Sequence, residues 1–457
     1  MRRIPYILLV AVAAMACNTH LSAPQLAIQK SYIFGGGFSS DSIRLDNNWW
    51  QMFGDTTLNR LVERAIARNK NIEIAASRIE EARHNLVVAR SQYMPSVSGT
   101  ISAEGKYDSA TNNIAQSYKI TPQASWELPL FGSLRHTTQK ARANIQYAEW
   151  QRRGMELSVA AQAAEAYFTL LQYRQDLSIA RRTSELRREM VVLIDSLHRF
   201  GFATGVNLEQ AKSLLYTSEV DIPRYEYAIA QTILSLASLL GEEPSRLMRL
   251  ADSEKIPSLK APSIYDVAIG VPSDILQQRP DMMSAYFTLQ ATAAEVGIAR
   301  VARLPSFVLT LFGGTATDKV SKLFSGDAWV AKATLALTQP IYNFGGLRRQ
   351  ELAAREAYRQ SVLSYEQTFV EALTDVENAL VNITSSREEL VRYGELVKSY
   401  STIATTTNAL YLNGLSSYLD VIDAERSLYT SQMEQANLVA QQYINLITLY
   451  KALGGGR

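Results

Sequence analysis

Asp420 and Asp423 are the residues best placed to do chemistry in this chain: two carboxylates at i, i+3 on one helix face, just past Gly414. Such a pair can set the ion preference of a pore, or it can complement the positive end of a helix. Metal and nucleophile chemistry find no framework. His20, His84, His136 and His198 are scattered without HExxH spacing, and Cys17 is the only cysteine in 457 residues, so neither a zinc site nor an intramolecular disulfide is expected. Gly35-Gly36-Gly37 lacks the GxGxxG pattern and a following Lys-Ser/Thr, and reads as flexible linker; no Gly-x-Ser-x-Gly elbow occurs. The chain is not expected to be an enzyme.

The remaining reactive group lies at the start. Arg2-Arg3, the apolar run Ile7 to Ala14, and Ala14-Met15-Ala16 before Cys17 form an export signal over residues 1–16. The run is too short to span a bilayer. A cysteine one residue past a small-residue cleavage site resembles a bacterial lipobox, with Ala14 where such motifs usually carry Leu. Acyl chains on Cys17 would tether the mature N-terminus to a membrane, at roughly 0.8 kcal/mol per buried CH₂. Cleavage leaves 44 basic against 44 acidic residues, a balance that gives no electrostatic case for nucleic acid. No later stretch approaches 18 uninterrupted apolar residues, so any crossing of a membrane must use strands closed into a barrel.

The elements that must position these residues occur twice. A shift of 213 carries Leu134-Arg135 onto Leu347-Arg348, Gly201 onto Gly414, and Leu215-Tyr216-Thr217-Ser218 onto Leu428-Tyr429-Thr430-Ser431. Upstream, a shift of 210 carries Ala89-Arg90 onto Ala299-Arg300 and Pro95 onto Pro305. That period is far outside the range of solenoid repeats, so this is a duplicated domain. In each copy a long proline-free span with helical periodicity is interrupted at the matched glycine, Gly201 or Gly414, where the helix is expected to end and reverse. At the sites matching Asp420 and Asp423 the first copy has Asn207 and Gln210, so the hairpin itself does not require the acids.

Between Pro95 and Pro129, and again between Pro305 and Pro340, the period switches to 2. Phe307, Leu309 and Leu311 alternate with Ser306, Val308 and Thr310; Tyr118, Ile120, Ala124, Trp126 and Leu128 alternate with Lys119, Thr121, Gln123, Ser125 and Glu127. Strands of this pattern suit a transmembrane β-barrel or a half-buried soluble sheet, and Trp126 and Trp329 suit a membrane interface. Two hairpins supply four strands, whereas membrane barrels start at about eight, so a barrel must be shared among chains.

These features together resemble the TolC-like outer-membrane efflux proteins, in their lipoprotein branch serving resistance pumps. The most specific stretches are residues 272–281 (Pro272 to Asp281, with Arg279-Pro280-Asp281), 339–348 (Gln339 to Arg348, with Gly345-Gly346) and 414–424 (Gly414 to Ala424). The resemblance implies a mixed α and β fold: a homotrimer with a twelve-stranded outer-membrane β-barrel continued by a periplasmic α-helical barrel. It implies segments 17–56 (lipidated linker), 57–94 and 131–243 (helices of repeat 1), 95–130 (hairpin 1), 244–272 (equatorial region), 273–304 and 341–453 (helices of repeat 2), 305–340 (hairpin 2) and 454–457 (tail).

It also implies a function. The chain would be the passive exit duct of a tripartite pump of a Gram-negative bacterium, expelling drugs or other small toxic compounds, with a periplasmic adaptor docking at the tips and an RND-type inner-membrane transporter supplying energy. Asp420 and Asp423 would form the periplasmic aperture; Gly201, Gly414, Leu415 and Tyr411 would belong to the tip turns and adaptor docking surface, Tyr411 standing as in the family's closing latch, although Ser416 occupies a position where some relatives are basic. No cofactor is implied beyond lipid on Cys17. A duct for polypeptide secretion and a surface coiled-coil adhesion lipoprotein are the alternatives; the four amphipathic strands count against the second.

Overall fold

The duplication reaches down to element boundaries. In the computed structural model, which describes residues 24, 26, 28–36, 38, 48–109, 112–245, 259–262 and 269–455, helices α1 (Thr56–Arg68) and α2 (Lys70–Ser91) precede strands β1 (Ser96–Asp108) and β2 (Asn113–Leu128). Then come α3 (Ser133–Arg199) and α4 (Gly205–Leu240). The second copy runs α5 (Pro280–Val301), β3 (Ser306–Thr317), β4 (Trp329–Thr338), α6 (Gly346–Leu412) and α7 (Tyr418–Ala452). Residues 1–16, Cys17 and most of 244–268 lie outside the described residues. The helices α2 and α5 are both 22 residues long and α3 and α6 both 67, offset by the same 210 and 213 residues that align the sequences. Among the described residues no helix is long and apolar enough to cross a membrane.

The chain divides into two compact units. One, from Ala76–Trp150 and Met283–Thr368, contains the sheet. Its strands pair antiparallel in the order β1-β2-β3-β4, so each outer strand has an edge with no partner among the described residues. The register aligns like with like. Leu128 pairs with Phe307, Trp126 with Leu309 and Ala124 with Leu311, and these with Leu337, Leu335 and Ala333. The alternate positions form the second face, with Ser125, Thr310 and Thr334 in one row and Lys119 3.2 Å from Glu104. One face therefore suits lipid and the other water. Trp126 and Trp329 pair with Leu309 and Thr315, six positions apart on the apolar face and roughly 20 Å along the strand, as two interfacial girdles require.

The second unit comprises Ala27–Ala75, Gln151–Met282 and Phe369–Arg457. Alanine spacing lets its helices approach closely: Ala160, Ala161, Ala163 and Ala164 are fully buried beside Tyr167. The Tyr167 hydroxyl donates to Asp55 Oδ2 at 2.6 Å, while Asp55 Oδ1 accepts the Thr57 and Leu58 amides and so caps α1. The two copies dock their helix ends alike. Asn69 Nδ2 donates to the Leu239 carbonyl (2.9 Å), and Arg279, its repeat mate, donates Nη1 to the Ala452 carbonyl (2.9 Å).

The segment before α1 differs from the linker expected over 17–56. Trp49 and Trp50 are buried, Trp49 stacking on Tyr450 at 5.6 Å, and the Ile33 and Phe34 amides donate to the Glu377 carboxylate. Aromatic burial outweighs the flexibility that Gly35 and Gly36 confer.

Candidate functional site at the helix turns

Both long helices end in the same capped turn. After α3, the Phe202 amide donates to the Leu197 carbonyl (2.8 Å) and the Gly201 amide to His198 (3.0 Å); after α6, Leu415 donates to Leu410 (2.9 Å) and Gly414 to Tyr411 (2.9 Å). This pair of bonds satisfies carbonyls that the helix leaves open, and it requires a left-handed residue between them. Gly201 and Gly414 supply it at φ +79° and +72°. No atom lies within 4 Å of where either would carry a Cβ, so the demand for glycine is a backbone demand alone.

The next helices start alike but with different charge. Thr204 Oγ1 accepts the Asn207 amide (3.2 Å) at α4, and Ser417 Oγ accepts the Asp420 amide (3.3 Å) at α7. Asp420 Oδ2 answers by accepting from the Ser417 hydroxyl (2.9 Å), the Ser417 amide (2.9 Å) and the Ser416 hydroxyl (3.2 Å). These bonds, the Ser417 hydroxyl foremost, hold its carboxyl below the usual range. Asp420 thus closes a capping box and stays ionised at the positive end of α7. Asp423, also exposed, makes no side-chain hydrogen bond or ion pair among the described residues.

The two turns share one core. Ile194, Leu208, Ala211 and Leu214 of the first copy pack with Tyr418, Val421 and Ile422 of the second. Tyr411 lies half-buried against this cluster, its ring centroid 5.2 Å from that of Tyr418. Leu415 faces outward, and so do Phe200 and Phe202, about four-fifths exposed. These two phenylalanines lie outside the expectations for the turns, although bulky apolar residues on both sides of an exposed glycine turn are a readable signal. A buried lock joins the two copies. Arg187 donates Nη1 to the Leu214 carbonyl (2.8 Å) and stands 4.9 Å from the Tyr429 ring centroid, and Tyr429 donates its hydroxyl to Asp221 (2.8 Å). No spacing pattern links those residues along the chain.

One buried carboxylate makes the helical unit sensitive to pH. Asp176 is pushed up to about 7, chiefly by burial, with Glu434 adding to it and Gln172 opposing. A native value above the unfolded one of about 4 means that its contribution to stability is complete below about pH 4 and is lost as pH rises through 7. Helix melting should therefore occur at lower temperature at pH 8 than at pH 5, and Asp176→Asn should flatten that slope by an amount on the order of 2–4 kcal/mol. A wild-type protein more stable at pH 8 would contradict the assignment.

A sheet with one lipid-compatible and one wet face, duplicated together with paired helical hairpins, defines a pore-forming membrane protein. Known proteins give that class its name. Residues 61–242 and 271–455 match the family model described as outer membrane efflux protein. The toluene efflux pump outer membrane protein TtgC of Pseudomonas putida is 29% identical over 92% of this chain and 87% of its own. The protein described as "Probable outer membrane lipoprotein SilC" of Salmonella typhimurium is 30% identical over 90% and 88%. The crystal structure of the open state of the Neisseria gonorrhoeae MtrE outer membrane channel superposes with a TM-score of 0.84 at 25% identity, covering 96% of this chain and 98% of that one. The chain belongs to the outer membrane efflux protein family. Its place is the outer membrane and its work is efflux.

Proposed function

We propose that three copies of this chain, each lipidated on Cys17, close a twelve-stranded barrel and form the exit duct of a tripartite pump. The observation that carries the reading is the sheet: four strands with an apolar face, a polar face and two free edges cannot close within one chain. An inner-membrane transporter of RND type supplies energy, and a periplasmic adaptor grips the outward side chains of the turns, Phe200, Phe202 and Leu415. Relatives are named for efflux of toluene, antibiotics and cations and for export of pyoverdine, so the cargo is a small toxic or chelating compound chosen by the transporter.

Asp420 and Asp423 form the aperture, six carboxylates in three copies, with Tyr411 as part of its latch. The capping role of Asp420 supports this, because the cap fixes the direction of an ionised carboxylate; Asn207 in the first copy keeps a similar cap without charge. Asp420→Asn with Asp423→Asn should preserve the trimer and abolish its preference for cations in planar bilayers, along with block by multivalent cations. Unchanged selectivity would confine both acids to the helix start. The detergent-solubilised mass and the mass of the N-terminal peptide test the rest: a stable monomer overturns the shared barrel, and an unmodified Cys17 overturns the lipid anchor.

A further inference from the structure

The two free edges of the sheet carry enough pattern to specify how they meet. Pairing between β4 of one copy and β1 of the next must keep the apolar faces together, so the register can change only in steps of two residues. Among these registers we propose the one that sets Lys332 opposite Glu104 of the neighbouring copy, a proposal that rests on the three-copy reading above.

Charge favours it first. Lys332 forms no ion pair among the described residues, and the Glu104 side chain is 73% exposed beside Lys119. Two residues one way, Lys332 would face Lys106, a like charge; two residues the other way it would face Ser102.

The apolar face agrees. The same register sets Trp329 opposite Tyr107 and Leu335 opposite Ile101, four side chains that are 71%, 61%, 64% and 81% exposed in the single chain. Aromatic and branched cross-strand pairs are the ones that stabilise a ladder, whereas the neighbouring registers pair Trp329 with Gly105 or Ser109. All 10 residues of β4 then lie opposite positions within β1.

Closure geometry gives a third, independent argument. Ser98 pairs with Gln123, Gln123 with Phe312, and Phe312 with Lys332, so an onward pairing with Glu104 advances six residues in one passage across the chain. That is about 20 Å along the strands for about 19 Å across four of them, a tilt of about 45°, at the upper end of the usual range. An advance of eight residues, with Lys332 opposite Lys106, would need a tilt of about 54°, outside that range. An advance of four, with Lys332 opposite Ser102, gives about 35°, inside it, and is disfavoured by the charge and aromatic pairs instead.

Paired cysteines on the wet face test the register. Thr334→Cys is combined in turn with Thr100→Cys, Ser102→Cys and Glu104→Cys in the full-length protein, and each is oxidised in the detergent-solubilised trimer, with wild type as the control for Cys17. The Ser102 pair, directly opposite in the proposed register, should form intermolecular disulfides at least about tenfold faster than the other two. Fastest reaction at Thr100 or Glu104 in an intact trimer overturns the register, and no cross-link in an intact trimer overturns edge pairing itself. Loss of the trimer in wild type overturns the three-copy reading instead. A charge exchange reads the same contact: Lys332→Glu should lower the temperature at which the trimer dissociates in detergent, and adding Glu104→Lys should restore it.

Discussion

Arg279→Ala should destabilise the helical unit by about 3–5 kcal/mol, seen as a large drop in the melting temperature of helical circular dichroism and in the amount of protein reaching the membrane. The guanidinium is 9% exposed and makes five bonds at once: Nε and Nη2 to Asp281 (3.0 and 2.6 Å), Nη2 to Asp375 (2.9 Å), and Nη1 to the carbonyls of Ala372 (3.3 Å) and Ala452 (2.9 Å). It joins the start of α5, the middle of α6 and the end of α7. Asp281 and Asp375 are about half exposed (46% and 55%) and can turn to water. The two carbonyls and the vacated space cannot, and they carry the cost. Arg279→Lys should recover only part of the loss, because a point charge does not reproduce the fork to Asp281. Asn69→Ala, at the repeat-related site where Nδ2 donates to the Leu239 carbonyl and Oδ1 accepts the Asn71 amide, should cost less, about 1–3 kcal/mol. An Arg279→Ala protein that melts with wild type would refute the staple.

Gly314→Val should abolish the folded sheet. A Cβ at Gly314 would stand 2.0 Å from the Ile120 carbonyl oxygen and 3.0 Å from the Thr121 Cα, backbone atoms that cannot move without breaking the ladder between β2 and β3. Pro122, in the middle of β2, has no amide to donate, and the pairing of β2 with β3 skips Thr121 and Pro122, the positions opposite Gly314 and Gly313. The expected cost exceeds about 3 kcal/mol, enough to remove the protein from the outer-membrane fraction. Gly313→Val is the matched control. It adds the same volume one residue away, meets nothing within 4 Å, and should leave assembly intact. If both variants assemble, β2 and β3 are less tightly opposed than the structure has them.

Much of this architecture is legible without coordinates because its determinants are local. A helix of 67 residues announces itself by the absence of proline and by its period, and its end by a glycine that the left-handed cap requires, so Gly201 and Gly414 fall where spacing puts them. The strands follow from alternation, and the two faces of the sheet from parity, since a side-chain period of two leaves no other way to gather the apolar positions. The acids at Asp420 and Asp423 stand out because the first copy has Asn207 and Gln210 in their place.

Tertiary structure decided what depends on neighbours distant in the chain. Gly313 and Gly314 are indistinguishable as letters, and only the approach of Ile120 makes one indispensable. Tyr216 and Tyr429 are repeat mates in the same Leu-Tyr-Thr-Ser motif, yet the first is 58% exposed and the second 8%, because Arg187 and Asp221 meet only the second. Arg279 reads in sequence as a helix start beside Pro280, and it becomes a staple only when α6 and α7 bring the carbonyls of Ala372 and Ala452 to it. Periodicity and caps are short-range rules that any stretch of chain can satisfy alone, whereas burial, close approach and charge pairing are properties of two surfaces together, and the second surface is not written beside the first.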